Sequence, residues 1–274
     1  MNRTIINATN TLNQLQKQLD IIGNNLANAD TNGFKSREAT FSDLLVQQFN
    51  NQSRPYMETG RMTPEGIRVG TGAKIAQTKM NTKLGSIQTT GRPLDLALTN
   101  ENQYFKVLVQ ENGREEICYT RNGSFYLSPI NDNQVMLVTS EGYPVLDDQN
   151  RPIQFNQQSI QNVAVDGTGR MSVGGGQAFN LGIVSIERPQ YLEAKGNGLL
   201  GLPANSTVAV GAVVRDLTGA LRSEIGVQQG ALEKSNVDIS KEMTDMMNVQ
   251  RSYQFQSRAV TLGDQMMGLV NSLR

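Results

Sequence analysis

A chain of 274 residues, 38% of them hydrophobic, is long enough for one large domain or two modest ones with a real core. Its 25 Lys and Arg balance 25 Asp and Glu, so no basic field exists to gather phosphate backbones or an anionic membrane surface. With no His and one Cys, Cys118, the sequence excludes imidazole catalysis, Ser-His-Asp and Cys-His nucleophiles, zinc sites built on those ligands, and an intrachain disulfide.

From Met1 to Asp20 there is no apolar run of the signal-peptide kind, and the most apolar stretch elsewhere, Val208 to Val214, is too short to span a bilayer. The 26 Asn and 24 Gln give a surface in which amides outnumber either sign of charge, and such surfaces do not repel copies of themselves.

Leu12, Leu15, Leu19, Ile22 and Leu26 recur at alternating steps of three and four, which keeps one narrow seam on a helix. Asn32-Gly33 tolerates left-handed backbone and predicts the stop of that helix between Asn28 and Gly33. From Phe34 to Leu84 the pattern is an extended connector with a possible short helix from Phe41 to Phe49, then punctuation at Pro55, Gly60, Pro64 and Gly70. The runs Tyr104 to Val109, Ile117 to Thr120, Phe125 to Leu127 and Gln134 to Thr139 follow. They are separated by Asn112-Gly113, Asn122-Gly123 and similar pairs, and predict antiparallel strands. Met246, Val249, Tyr253, Val260, Met267 and Val270 then form a second seam, with Gln256 and Gly263 as its weak positions; Ser235, Asn236 or Asp238 can cap its start.

The expected fold is α+β: long N- and C-terminal helices pairing as a coiled coil around a central antiparallel β-rich domain. Residues 1–33 form the first helix, 34–84 the connector, 85–230 the β domain, and 231–274 the second helix, packed with 1–33. A two-helix hairpin with such narrow stripes removes little apolar surface from water, so neighbouring copies are its natural completion.

Few residues suggest chemistry. Gly174-Gly175-Gly176 lacks the Gly-Lys-Ser/Thr ending of a phosphate loop and reads as a hairpin tip, while Asp147-Asp148-Gln149-Asn150 lacks the Gly and terminal Glu of a calcium loop and reads as a turn. Cys118 lies in a predicted strand and should be buried. Met243, Met246, Met247, Met266 and Met267 suit either core filling or a helix that meets several differently placed neighbours.

The block from Ile21-Ile22-Gly23-Asn24-Asn25-Leu26-Ala27-Asn28-Ala29-Asp30 to Thr31-Asn32-Gly33-Phe34-Lys35 strongly resembles the N-terminal signature of bacterial flagellar rod and hook proteins. A second set is similar to the family's central motifs: Thr90-Gly91-Arg92-Pro93-Leu94-Asp95, Tyr119-Thr120-Arg121-Asn122-Gly123 and Thr139-Ser140-Glu141-Gly142-Tyr143. A third, Gln229-Gly230-Ala231-Leu232-Glu233-Lys234-Ser235-Asn236-Val237-Asp238 followed by Gln250-Arg251-Ser252-Tyr253, resembles its C-terminal block. Length favours the rod branch over the hook type with its further outer domain, and within that branch the chain most resembles the distal-rod type.

The resemblance implies a structural subunit of the envelope-spanning drive shaft, located in the flagellar basal body, in the periplasm or cell wall. It implies export through the flagellar type III channel without signal cleavage, and helical assembly with the terminal helices innermost. Its expected partners are copies of itself, other rod and hook proteins and the export apparatus, with no nucleic acid, membrane insertion, metal or cofactor. The expected assembly interface comprises Leu12, Leu15, Leu19, Ile22, Asn25, Leu26, Asn28, Thr31, Gly33 and Phe34, with Met243, Met246, Val249, Tyr253, Val260, Met267 and Val270. In it, the Asn amides can pair between copies and fix register. The alternatives are a proximal rod or hook-like subunit and, less favoured, a wall-lytic enzyme acting through a carboxylate pair.

Overall fold

A computed structural model describes residues 2–43, 47–49, 67–69, 73–111, 113–157, 163–174, 176–203 and 208–272. Pro55, Gly60, Pro64, Gly70, Asn112 and Gly175 lie outside the described residues. The architecture is α+β, with helices at both ends and a β-rich middle. The chain divides into two compact units, one comprising Met1–Leu26, Arg37–Lys79 and Ile239–Arg274, the other Ala27–Ser36 and Met80–Asp238.

In the first unit, α1 spans Asn2–Ala27 and α2 spans Ile239–Ser272. The break after α1 falls where the Asn-Gly signal places it, and Gly33 has the positive φ, +72°, that the signal requires. The unit also contains β1 (Arg37–Asp43), β2 (Gln47–Phe49), β3 (Ile67–Val69) and β4 (Ala73–Met80); β1 pairs with β4, and β2 with β3. Of the short helix expected over Phe41 to Phe49, residues 41–43 and 47–49 are strand, and 44–46 lie outside the described residues. Pairing of β2 with β3 and of β1 with β4, where the Thr40 hydroxyl donates to the Gln77 carbonyl at 3.2 Å, overrides a weak local helical pattern.

In the second unit the strands follow in chain order as β5 (Ile87–Thr89), β6 (Leu96–Leu98), β7 (Gln103–Glu111), β8 (Arg114–Thr120), β9 (Phe125–Asn131), β10 (Gln134–Thr139) and β11 (Gln154–Asn156). Then come β12 (Ala164–Val165), β13 (Arg170–Val173), β14 (Gln177–Asn180), β15 (Ile183–Ile186), β16 (Glu193–Gly196) and β17 (Leu199–Gly201), and finally β18 (Val214–Asp216), β19 (Val227–Gln229) and β20 (Ala231–Glu233). The expected strands are present, and β7 pairs β8 from Phe105↔Thr120 to Glu111↔Arg114, while β12 and β13 pair across Asp166-Gly167. Asn122-Gly123 instead lies between β8 and β9, which belong to different sheets, and β9 pairs β10 across Asp132-Asn133, which carries no Gly.

The largest sheet runs β16-β17-β8-β7-β15-β18. Alternation along β7 sends Phe105, Val107 and Val109 into a cluster with Cys118, Phe125, Leu137 and Ile183, and Tyr104 into a second cluster with Tyr119, Val184 and Ile186. Both faces are thus covered. Phe105 and Phe125 meet edge to face at 5.1 Å. The Asp147 turn is a turn, as expected: its Oδ1 accepts from the amides of Gln149 and Arg151 at 2.8 and 2.7 Å.

Two pairings could not be read from neighbouring sequence. β19 returns to β6, and β20 to β5, so strands near the end of this unit complete strands near its start. Among the described residues, no helix is long and apolar enough to cross a membrane.

Candidate functional site

Two contacts fix how the terminal helices meet. Asn25 donates through Nδ2 to Glu242 Oε1 at 3.1 Å, and Gly263 lies so close to Ile5 that an added Cβ would stand 3.2 Å from its Cγ1. The helices therefore run antiparallel, from residues 5 to 25 on α1 and from 263 to 242 on α2, about 30 Å at 1.5 Å per residue.

On α1, Leu12, Leu15, Leu19 and Leu26 are half-buried, and Ala8, Ile22 and Asn25 are buried. On α2, Val249 is buried and Met246, Val260 and Met267 are half-buried; Met243 and Tyr253 are exposed, and the side chain of Val270 lies outside the described residues. The two positions that looked weak are covered too. Glu242, Val249, Gln256 and Gly263 form a seven-residue repeat of buried and half-buried positions, and Gly263 is small so that Ile5 can approach. Periodicity of apolar residues alone misses a seam built partly from a carboxylate, an amide and a glycine.

Asn25 behaves as a substitute peptide group. Its Oδ1 accepts from the Arg37 amide and its Nδ2 donates to the Arg37 carbonyl, both at 2.9 Å, while the second Nδ2 hydrogen goes to Glu242. Both amide hydrogens are thus used within one chain, which leaves little for the pairing between copies expected at this position. Burial raises the Glu242 carboxyl above its ordinary range; Asn25 and Lys241 pull it down, while Asp245 and Glu38 add to the rise. Asn28, Thr31, Gly33 and Phe34 belong to the second unit, where Thr31 donates its backbone amide to the Asn28 carbonyl at 3.2 Å.

A second arrangement, missed as a site by the sequence reading, lies wholly in the β unit. Lys35, Arg121 and Glu233 are buried together, with Lys35 Nζ 2.6 Å from Glu233 Oε1 and Arg121 Nε 2.5 Å from Oε2. Glu233 Oε1 also accepts from the Gly85 amide at 2.8 Å, and Lys35 donates to the Lys83 carbonyl at 2.7 Å. Arg121 also donates to the carbonyls of Leu98, Asn100 and Gln103. Burial alone would raise the Glu233 carboxyl, but the Arg121 charge and the bonds from Lys35, Arg121 and Gly85 outweigh it and hold the group below its usual range. The Lys35 ammonium is lowered, first by burial and further by Arg121.

Beside this cluster Asn236 stitches three segments. Its Oδ1 accepts from the Ser36 amide at 2.8 Å, and its Nδ2 donates to the carbonyls of Asn81 and Lys83 at 2.9 and 3.0 Å. The signal for all of this was present as motif membership: each of the three sequence blocks carries one of the buried charges.

Three family models match the chain in the same three places. "Flagella basal body rod protein" covers residues 5–35, "Flagellar hook protein FlgE/F/G D1 domain" 100–173, and "Flagellar basal body rod FlgEFG protein C-terminal" 228–273. The flagellar hook-basal body complex protein FlhP of Bacillus subtilis (strain 168) is 43% identical over 281 residues, covering 100% of both chains. The chain belongs to the flagellar basal-body rod and hook family. Two rod relatives named FlgG also align over nearly their whole length. That of Borreliella burgdorferi is 34% identical, with 100% of this chain and 99% of the relative covered; that of Bacillus subtilis is 33% identical, with 100% of both. The names in this family are those of structural parts, so the chain is a structural, non-enzymatic component. Lys35, Arg121 and Glu233 fall one in each matched region, so the ion cluster joins the family's three recognisable segments within a single unit.

Proposed function

We propose that the chain is an axial subunit of the flagellar rod in the basal body, exported through the flagellar type III channel and assembled helically through α1 and α2, which wind as an antiparallel coiled coil. In this reading α1 (Asn2–Ala27) and α2 (Ile239–Ser272) carry the assembly contacts, and the β-rich unit is a separate body joined to them by the chain. Its partners are further copies, the other rod and hook proteins and the export apparatus.

One observation carries this reading. α2 is apolar on two faces: the stripe through Val249, Val260 and Met267 is covered, whereas Phe255 (73% exposed), Leu262 (60%), Met266 and Leu269 (66%) stand bare on the other side. A monomer rarely leaves such a row in water, and copies stacked around an axis would cover it. The expected interface residues supply the first contact, and this second face the next.

The test is complementation of a deletion strain by Phe255→Asp/Leu262→Asp, with purified protein checked in parallel by circular dichroism. Loss of swimming and of hooks with unchanged helix and strand signals is expected; wild-type swimming by the variant would defeat the reading. A proximal or hook-like position is the second reading: identity to the FlhP of Bacillus subtilis, a hook-basal body complex protein, is 43% and exceeds the 33% to the same organism's FlgG, so the FlgG place is not singled out. A tagged copy imaged in isolated basal bodies distinguishes the positions by height along the shaft.

A further inference from the structure

Glu233 has a place in the fold that assembly through the helices does not use. Its carboxylate serves two buried cations, 198 and 112 residues earlier in the chain, and the Gly85 amide, 148 residues earlier. Its backbone carbonyl accepts from the Gly33 amide at 2.8 Å. One residue therefore holds three other segments of the β unit, around residues 33–35, 85 and 121. The strand that carries it, β20, pairs with β5, and β19 pairs with β6; each is a two-stranded sheet, so β5 and β6 have no other strand partner among the described residues.

Until this carboxylate docks, Lys35 and Arg121 cannot both be buried, because burying cations without an anion is far costlier than leaving them solvated. Lys35 is the weaker-held of the two cations: without Glu233 its ammonium keeps one carbonyl, that of Lys83, and the more distant charge of Glu101 against the like charge of Arg121.

We propose that Glu233 is a closing latch: the segment that follows α1, residues 28–36, and the segment that precedes α2, residues 234–238, lock onto the β unit through one carboxylate, so neither is anchored until the other has docked. Synthesis proceeds from the N-terminus, so the stretch behind α1 waits for nearly two hundred further residues before it can settle. Asn236, three residues beyond the latch and bonded to Ser36, Asn81 and Lys83, then holds both segments in place. This ordering stands independently of whether the protein polymerises.

The test is amide hydrogen exchange of the full-length protein at neutral pH in wild type, Glu233→Gln, Lys35→Met and the double variant. The Asn81 amide, bonded to the Ser36 carbonyl, reports the docking of the first segment, and the Lys234 amide, bonded to the Ser86 carbonyl, reports that of the second. In Glu233→Gln both should accelerate together, by about a hundredfold. Lys35→Met alone should stay within about threefold, and the double variant should recover about tenfold of the loss, because one unpaired cation has gone. Acceleration at Lys234 with a wild-type rate at Asn81 would overturn the latch, as would a double variant no better protected than Glu233→Gln. If Glu233→Gln loses its strand signal altogether, the double variant decides: recovered strand signal supports the latch, and an equally unfolded double variant overturns it.

Discussion

Replacement of Gly33 by alanine, a single added methyl, should cost the β unit far more than its size suggests. Gly33 sits at φ +72°, and a Cβ there would lie 2.6 Å from the Asn122 nitrogen and 2.7 Å from the Arg121 carbonyl carbon. Both are main-chain atoms and cannot swing aside as a side-chain tip would. The left-handed conformation costs a non-glycine residue about 1–2 kcal/mol, and forcing apart packed backbone adds about 1–3 kcal/mol. The combined loss, about 2–5 kcal/mol, is a large part of the roughly 5–15 kcal/mol that holds a domain folded. Gly91 provides an internal control, because its φ is +71° and an added Cβ meets nothing within 4 Å. Gly91→Ala should therefore lose only the conformational part, about 1–2 kcal/mol. Urea unfolding of both variants, followed by the strand signal in circular dichroism, measures the difference directly. Equal losses in the two variants, or less than about 1 kcal/mol in Gly33→Ala, would refute the close-approach argument. Gly33→Val adds β-branching to the same clash and should also lower basal-body yield in cells.

Leu19→Asp should loosen the helix pair by about 2 kcal/mol while leaving strand content unchanged, since the carboxylate enters a half-buried stripe of the other unit; limited proteolysis that cuts α1 and α2 no faster than in wild type would contradict it. Because the Glu242 carboxyl is raised in the folded chain, the paired helices bind a proton more readily than the unfolded chain does. Their stability should rise as pH falls through the raised value towards the ordinary carboxylate range, and decline as pH climbs through it. Glu242→Gln should abolish that slope in thermal unfolding at 222 nm and raise the midpoint at pH 7, and an unchanged slope would show that another group is responsible. Asn236→Ala strips the bonds to Ser36, Asn81 and Lys83 and should cost about 2–3 kcal/mol; a urea midpoint equal to wild type would show those bonds to be replaceable by water.

The parts of this fold that announce themselves in the sequence are those governed by near neighbours. Leu12 to Leu26 lie three and four apart, the strands from Tyr104 to Thr139 are bounded by turn pairs, and Gly33 closes a helix by its own backbone freedom. What stayed hidden depends on distant partners. Residues 41–43 and 47–49 are strand because of segments near residues 67–80, and β5 and β6 await β19 and β20. Gln256 and Gly263 counted as weak positions because amides and glycines do not register as apolar, yet the helix approach at Ile5 depends on the missing side chain. Lys35, Arg121 and Glu233 were all within recognised blocks, but a charge in a motif gives no sign of burial until the chain brings its counter-charge from more than a hundred residues away.

The six-stranded sheet ends in β16 on one side and β18 on the other, and neither end invites another strand. β16 is interrupted by a register shift between Ala194 and Gly196, and its Lys195 is tied to Glu116 at 2.9 Å. β18 is three residues long and carries the exposed pair Arg215 and Asp216. Bulges, brevity and charge are what blunt a sheet border against zippering with its own kind. A protein held at high local concentration beside identical copies would otherwise risk ribbons growing through its β unit. With its borders sealed, the largest sheet would not compete with the proposed helical association, whose contacts could repeat periodically without becoming amyloid-like.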